Sequence, residues 1–109
     1  MLFSPIPQAD GNIKNRLVLL MRELPAYNDF LVCGISSQIQ QYLKEYDEII
    51  TKDHPDFIES GLLSDSVIRL FFLAVLPQKK ILGSIGKISK ERLEKLQKRL
   101  SDYLIAKNQ

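Results

Sequence analysis

A small, curled antiparallel β-sheet packed by one C-terminal α-helix is the fold this sequence predicts. Three observations carry that expectation. Short apolar runs at Arg16 to Glu23, Phe30 to Ser36 and Ser66 to Val75 are separated by turn chemistry, which is the signature of closely spaced strands. From Ser89 onward the pattern changes to a helical rhythm. The chain has 109 residues, 45% of them hydrophobic, which suffices for one domain with a real core and no staples. The class is therefore mainly β with a C-terminal α-helix, one domain over residues 1–109.

The elements follow in order. Leu2 to Pro7 is extended and proline-bounded; prolines at 5 and 7 lack backbone donors, which suits a strand end or an edge. Gln8 to Asn12 contains Asp10-Gly11, a strong turn signal. Arg16 to Glu23 reads as a buried strand, Leu24 to Asp29 as a loop, and Phe30 to Ser36 as a second buried strand. Gln38 to Tyr46 is polar and makes a short helical turn or a loop. Asp47 to Ile50 suggests a brief strand, and Asp53 to Asp56 a loop with Phe57 as its anchor. Gly61 ends a helical turn. Ser66 to Val75 is β-branched and aromatic, hence a strand; Pro77 breaks it, and Ile81 to Ile85 continues as another short strand. Ser89 is a good N-cap, with Glu91 in the first turn favouring the dipole. The helix runs from about Lys90 to Ala106, with Leu93, Leu96, Leu100, Tyr103 and Leu104 on one face. Strands this apolar need cover on both faces, from barrel closure or from a partner subunit.

Charge is unevenly placed. Lys87 to Gln109 holds seven Lys/Arg against three Asp/Glu, while Glu45 to Asp65 holds seven acids against Lys52 alone. A net charge of only +2 argues against tight non-specific binding to duplex nucleic acid, which needs many phosphate contacts, and leaves room for a local phosphate site. Cys33, the single cysteine, excludes an internal disulfide and reads as a small buried hydrophobe. No stretch approaches the roughly 20 apolar residues of a membrane span. The N-terminus has no basic and apolar leader pattern, so the expected location is the cytoplasm.

Two polar clusters set on apolar runs point to chemistry. Lys14-Asn15-Arg16 opens the first buried run, and Ser36-Ser37-Gln38 closes the second. If the two strands pair, a guanidinium and a hydroxyl come within reach of one ligand. Guanidinium binds phosphate bidentately, and a hydroxyl donates to a phosphate oxygen. No spacing of His, Cys, Asp and Glu suits zinc, no glycine loop suits a nucleotide phosphate, and no carboxylate pair suits acid–base work. His54, the single histidine, lies in an acidic loop far from both clusters. Tyr27 reads as a loop tyrosine packed on the sheet rather than a base-stacking one.

Several segments resemble the MazF/PemK toxin family. Lys14-Asn15-Arg16-Leu17-Val18-Leu19 is similar to the family's Lys-Lys-Arg-Pro-Ala-Leu-Val-Leu segment, and Ile35-Ser36-Ser37-Gln38-Ile39 to its Ile-Thr-Ser or Ile-Thr-Ala-Gln-Ile segment. Gly61-Leu62 with Ser66-Val67-Ile68-Arg69-Leu70 resembles its Gly-Leu … Ser-Val-Val-Arg stretch, and Ile85-Gly86-Lys87-Ile88-Ser89 its Leu-Gly-x-Leu-Ser approach to the helix. The resemblance implies an SH3-like small barrel of the CcdB/Kid/PemK type and a homodimer. It implies the toxin of a type II toxin–antitoxin pair: a growth inhibitor that cleaves single-stranded RNA without metal or other cofactor, by attack of the 2′-hydroxyl on the adjacent phosphate. The implied partners are RNA and a cognate antitoxin, with operator DNA reached only through the antitoxin complex, and no membrane. Three departures stand out. Met1 to Pro5 enters partway along the family's first strand, so that strand looks shortened. Leu17 replaces the usual proline. Phe71 stands where some members have an acid.

By the same resemblance, Arg16 is the catalytic arginine, which stabilises charge on a pentacoordinate phosphorus, and Ser36 takes the place of the threonine that supports the scissile phosphate. Lys14, Asn15, Ser37, Gln38 and Arg69 are the expected RNA-binding residues. The plain structural readings are a solvated arginine at a strand end, a serine satisfied by nearby backbone, and solvated loops. An alternative function on the same fold is a non-catalytic toxin or binding protein, as in the branch that poisons DNA gyrase, or an inactive antitoxin-binding homologue.

Overall fold

The structure, a computed structural model, describes residues 1–7 and 10–106. Its architecture is a six-stranded antiparallel sheet with a C-terminal helix, the mainly β arrangement the sequence predicts. The strands are β1 (Leu2–Pro7), β2 (Ile13–Glu23), β3 (Phe30–Ser36), β4 (Glu48–Ile50), β5 (Ser66–Leu76) and β6 (Gly83–Ser84), in the spatial order β4-β5-β3-β2-β1-β6. Two helices, α1 (Phe57–Ser60) and α2 (Lys90–Ile105), complete the chain.

Side-chain alternation divides the core in two. On one face Leu19, Met21, Cys33, Ile35, Ile68 and Leu70 pack beneath Leu96 and Leu100 of α2. On the other, Val18, Val32 and Leu76 gather Leu2, Phe30, Phe72, Ala74 and Ile81. The second face is covered by curling rather than by a helix. β1 lies between β2 and β6, and the chain after β6 carries on along the same edge. There the Ile85 amide donates to the Met1 carbonyl, the Met1 ammonium donates to the Gly86 carbonyl at 2.8 Å, and the Lys87 amide donates to Glu59. This segment seals the sheet against α1. Gly61 ends α1 at φ 75°, and a Cβ there would lie 2.0 Å from the Ile85 carbonyl oxygen, so only glycine allows the closure.

Two irregularities bend the sheet. Between β2 and β3 the register slips at Met21, and the side-chain amide of Gln97 on α2 donates to the Met21 carbonyl at 2.8 Å. Between β3 and β5 the slip is larger: Cys33 faces Leu73, but Gly34 faces Arg69, so Leu70, Phe71 and Phe72 bulge out of the ladder.

α2 begins where expected, with the Ser89 hydroxyl accepting from the Arg92 amide. Its face is only partly used: Leu96 and Leu100 are buried, whereas Leu104 is 71% exposed. The strand expected over Ile81 to Ile85 shrinks to two residues. After Pro77 the chain makes a 3-10 turn at Gln78–Lys80, and it meets the β1 edge only at Gly83 and Ser84. The Gln8 to Asn12 turn lies partly outside the described residues; within them Asp10 accepts from the Asn12 amide, as a turn aspartate does. Cys33 is fully buried and its thiol is pushed up to about 12 by burial, with the Asp47 charge adding to the effect.

Candidate functional site

β2 and β3 form a hairpin whose loop, 24–29, lies at one end and whose open end carries Arg16 and Ser36. The strands pair up to Val18 and Gly34. Arg16 and Ser36 each follow two positions further on, which puts both on the same sheet face. They line one open groove of about 680 Å³, together with Asn15, Ser37 and Gln38 and with Leu62 and Ser64 after α1. That volume lies within the range of small-ligand sites.

Each residue has a local reason for its place. Arg16 is half-buried and pairs in register with the buried Ser4 of β1. Ser36 ends β3, and its hydroxyl oxygen accepts the Gln38 amide at 3.0 Å. That bond uses a lone pair and leaves the hydroxyl hydrogen available to donate. The Gln38 carboxamide accepts from the side chain of Gln40 at 2.7 Å. Lys14 is exposed on β2 and does not line the groove.

Arg69 comes to the same neighbourhood by another route. It pairs with Gly34 at the foot of the β5 bulge and lines a separate hollow of about 380 Å³ with Leu43, Asp47, Phe71, Phe72 and Leu73. The ring of Phe72 links the two cations: the guanidinium carbons of Arg16 and Arg69 lie 5.8 and 5.4 Å from its centroid. Phe71, at the position where the resembling family has an acid in some members, packs its ring against Tyr46 and Tyr103, at 4.9 and 4.7 Å between centroids. Among the described residues, no histidine and no carboxylate lines the Arg16 groove.

The remaining charged cluster lies elsewhere. Arg92 of α2 donates to Asp56 through Nε and Nη2, at 2.9 and 3.1 Å, and through Nη1 to Glu48 and to the Ile49 carbonyl, at 2.9 and 3.0 Å. Arg99 pairs with Glu48 at 2.8 Å. The Arg92 hydrogen bonds hold the Asp56 carboxyl well below the usual carboxylate range, and the Ser89 amide donating to Asp56 adds to the effect. His54 borders this cluster, where its Nδ1 accepts the Thr51 amide at 2.8 Å. Tyr27 stands 85% exposed on the 24–29 loop, at the far end of the hairpin from the groove.

The groove thus offers a cation, a hydroxyl donor and a row of small polar side chains at the open end of a curled sheet. A family model for PemK-like, MazF-like toxins of type II toxin–antitoxin systems matches residues 1–104. The chain belongs to this toxin family. The match spans every described element up to the last turn of α2, and the strand-and-helix architecture is consistent with the family fold. As a type II toxin the chain has a cognate antitoxin as partner. A search of curated proteins finds no match to this toxin. No helix among its described residues is long and apolar enough to cross a membrane.

Sequence reasoning missed two residues near the site. Phe72, between the two arginines, read only as part of an apolar strand. Asp47, which fixes the β5 bulge, was hidden in an acidic run. Gly34, an isolated glycine inside an apolar strand, was the available signal for a bulge or a close approach.

Proposed function

We propose that this toxin is a metal-independent endoribonuclease that cleaves single-stranded RNA in the cytoplasm and so arrests growth. The observation that carries the reading is that Arg16 and Ser36 line one groove on one sheet face. In the proposed mechanism the ribose 2′-hydroxyl loses its proton to water and attacks the adjacent phosphate. The P–O5′ bond breaks, and the 5′-oxygen leaves as a hydroxyl after taking a proton from water, with a 2′,3′-cyclic phosphate on the other fragment. Arg16 binds the non-bridging oxygens and stabilises the charge that grows on the pentacoordinate phosphorus. Ser36 donates its hydroxyl hydrogen to one of those oxygens, while its own oxygen stays anchored by the Gln38 amide. Asn15, Ser37 and Gln38 contact sugar and base edges of the strand, and Lys14 and Arg69 attract its flanking phosphates.

Arg16 acts through its charge and its N–H donors. The groove residues therefore act on phosphate charge rather than on proton transfer. That same feature favours one second reading, a toxin that acts by binding alone. We further propose a homodimer. Its support is the apolar cleft of about 570 Å³ between the end of α2 and β2–β3, lined in part by Met21, Leu31, Leu104 and Ile105.

The test uses purified toxin, a synthetic single-stranded RNA and excess EDTA. Cleavage by the wild type that is lost in Arg16→Ala supports the ribonuclease. Intact RNA together with growth arrest on induction supports the binding toxin instead.

A further inference from the structure

The two arginines beside the groove are held in an unusual way. Arg92 and Arg99 are fixed by carboxylates, which orient a guanidinium but consume its charge. Arg16 and Arg69 share the ring of Phe72, at 5.8 and 5.4 Å. Contact with an aromatic face restricts a long, rotamer-rich side chain without placing an opposite charge against it.

Three features put the ring there. Gly34 has no side chain, and a Cβ at that position would come 3.0 Å from Phe72 Cγ, so the ring rests on bare strand. The bulge of Leu70 to Phe72 turns the ring back over Gly34, although four β5 positions separate the Leu73 and Arg69 pairings. The bulge is pinned by Asp47. This carboxylate is 2% exposed; one oxygen accepts the Leu70 amide at 2.9 Å and the other the Leu43 amide at 3.0 Å.

We propose that Phe72 is a positioning residue of the phosphate site, holding Arg16 and Arg69 by their faces so that both cations converge on RNA phosphates. The inference rests on the ribonuclease reading for its consequence, though not for its geometry. Phe72 touches no reacting atom in this account. It acts through the arginines, and Asp47 acts through Phe72.

The test compares Phe72→Leu, which keeps an apolar side chain but removes the ring, with Phe72→Tyr, which keeps it. Each is read by thermal midpoint, by the guanidinium Nε–H signals of Arg16 and Arg69 in NMR, and by kcat/KM on single-stranded RNA in EDTA. Expected are ring-current shifts of both arginines in the wild type and in Phe72→Tyr, lost in Phe72→Leu, with kcat/KM down about tenfold in Phe72→Leu and largely restored in Phe72→Tyr. Gly34→Ala, whose methyl group lifts the ring, moves both readouts the same way by less. It keeps the question open to test should Phe72→Leu not fold. Leu and Tyr variants with equal rates and equal arginine signals overturn the proposal. A wild type that leaves RNA intact, with arginine signals that still depend on the ring, overturns the ribonuclease and supports the positioning role.

Discussion

The toxin carries two pairs of arginines with opposite environments. Arg92 and Arg99 sit on α2 with Glu48, Asp56 and three backbone carbonyls around them. Their work is to fasten the helix to β4 and to the loop before α1. Arg16 and Arg69 sit on the sheet at open hollows, beside an aromatic ring. The difference shows that residue type alone does not mark a site. One pair is held by carboxylates and fastens elements together; the other lies against a ring at open hollows.

That contrast can be broken or sharpened by substitution. The largest effect belongs to Arg92→Ala. Among the described residues, it takes the only arginine from the nearly buried Asp56 carboxylate and one of two from Glu48, and is expected to cost ~3 kcal/mol of stability, read by urea or thermal unfolding. Arg16→Ala is expected to lower RNA cleavage by about 10²–10³-fold at an almost unchanged thermal midpoint. Asp47→Asn replaces an acceptor with a donor facing a buried amide, so a loss of about 1–3 kcal/mol in chemical denaturation is expected.

Asp56 makes the helix clamp sensitive to acid. Its folded pKa is depressed by Arg92, so its contribution to stability is present above the unfolded value of about 4 and is lost as pH falls below it. Unfolding free energy measured from pH 7 down to about 2 is expected to fall more steeply in wild type than in Asp56→Asn; parallel curves contradict the assignment. The smallest effect is that of Ser36→Ala, about tenfold or less in cleavage, the size of one neutral hydrogen bond.

Much of this fold was legible locally. The bounds of β3 follow from an apolar run ended by serine, and the start of α2 from a serine cap with the helical rhythm behind it. What depends on distant contacts was not legible. β6 is short because the chain grazes β1 over two residues, and nothing in Ile81 to Ile85 encodes that. The β5 bulge depends on a carboxylate more than twenty residues away. The open end of the β2–β3 hairpin could be anticipated, because two strands joined by a short loop bring their far ends together. The convergence of Arg69 could not, because it needs the slip between Cys33 and Gly34.

The most direct test places Arg16→Ala and Arg92→Ala side by side with wild type, on single-stranded RNA in EDTA, with rates normalised to the folded fraction. The account predicts that Arg16→Ala folds normally and barely cleaves, while Arg92→Ala cleaves at the wild-type rate per folded molecule despite its lower stability. Full cleavage by Arg16→Ala, or an equal loss per folded molecule in both variants, would contradict it.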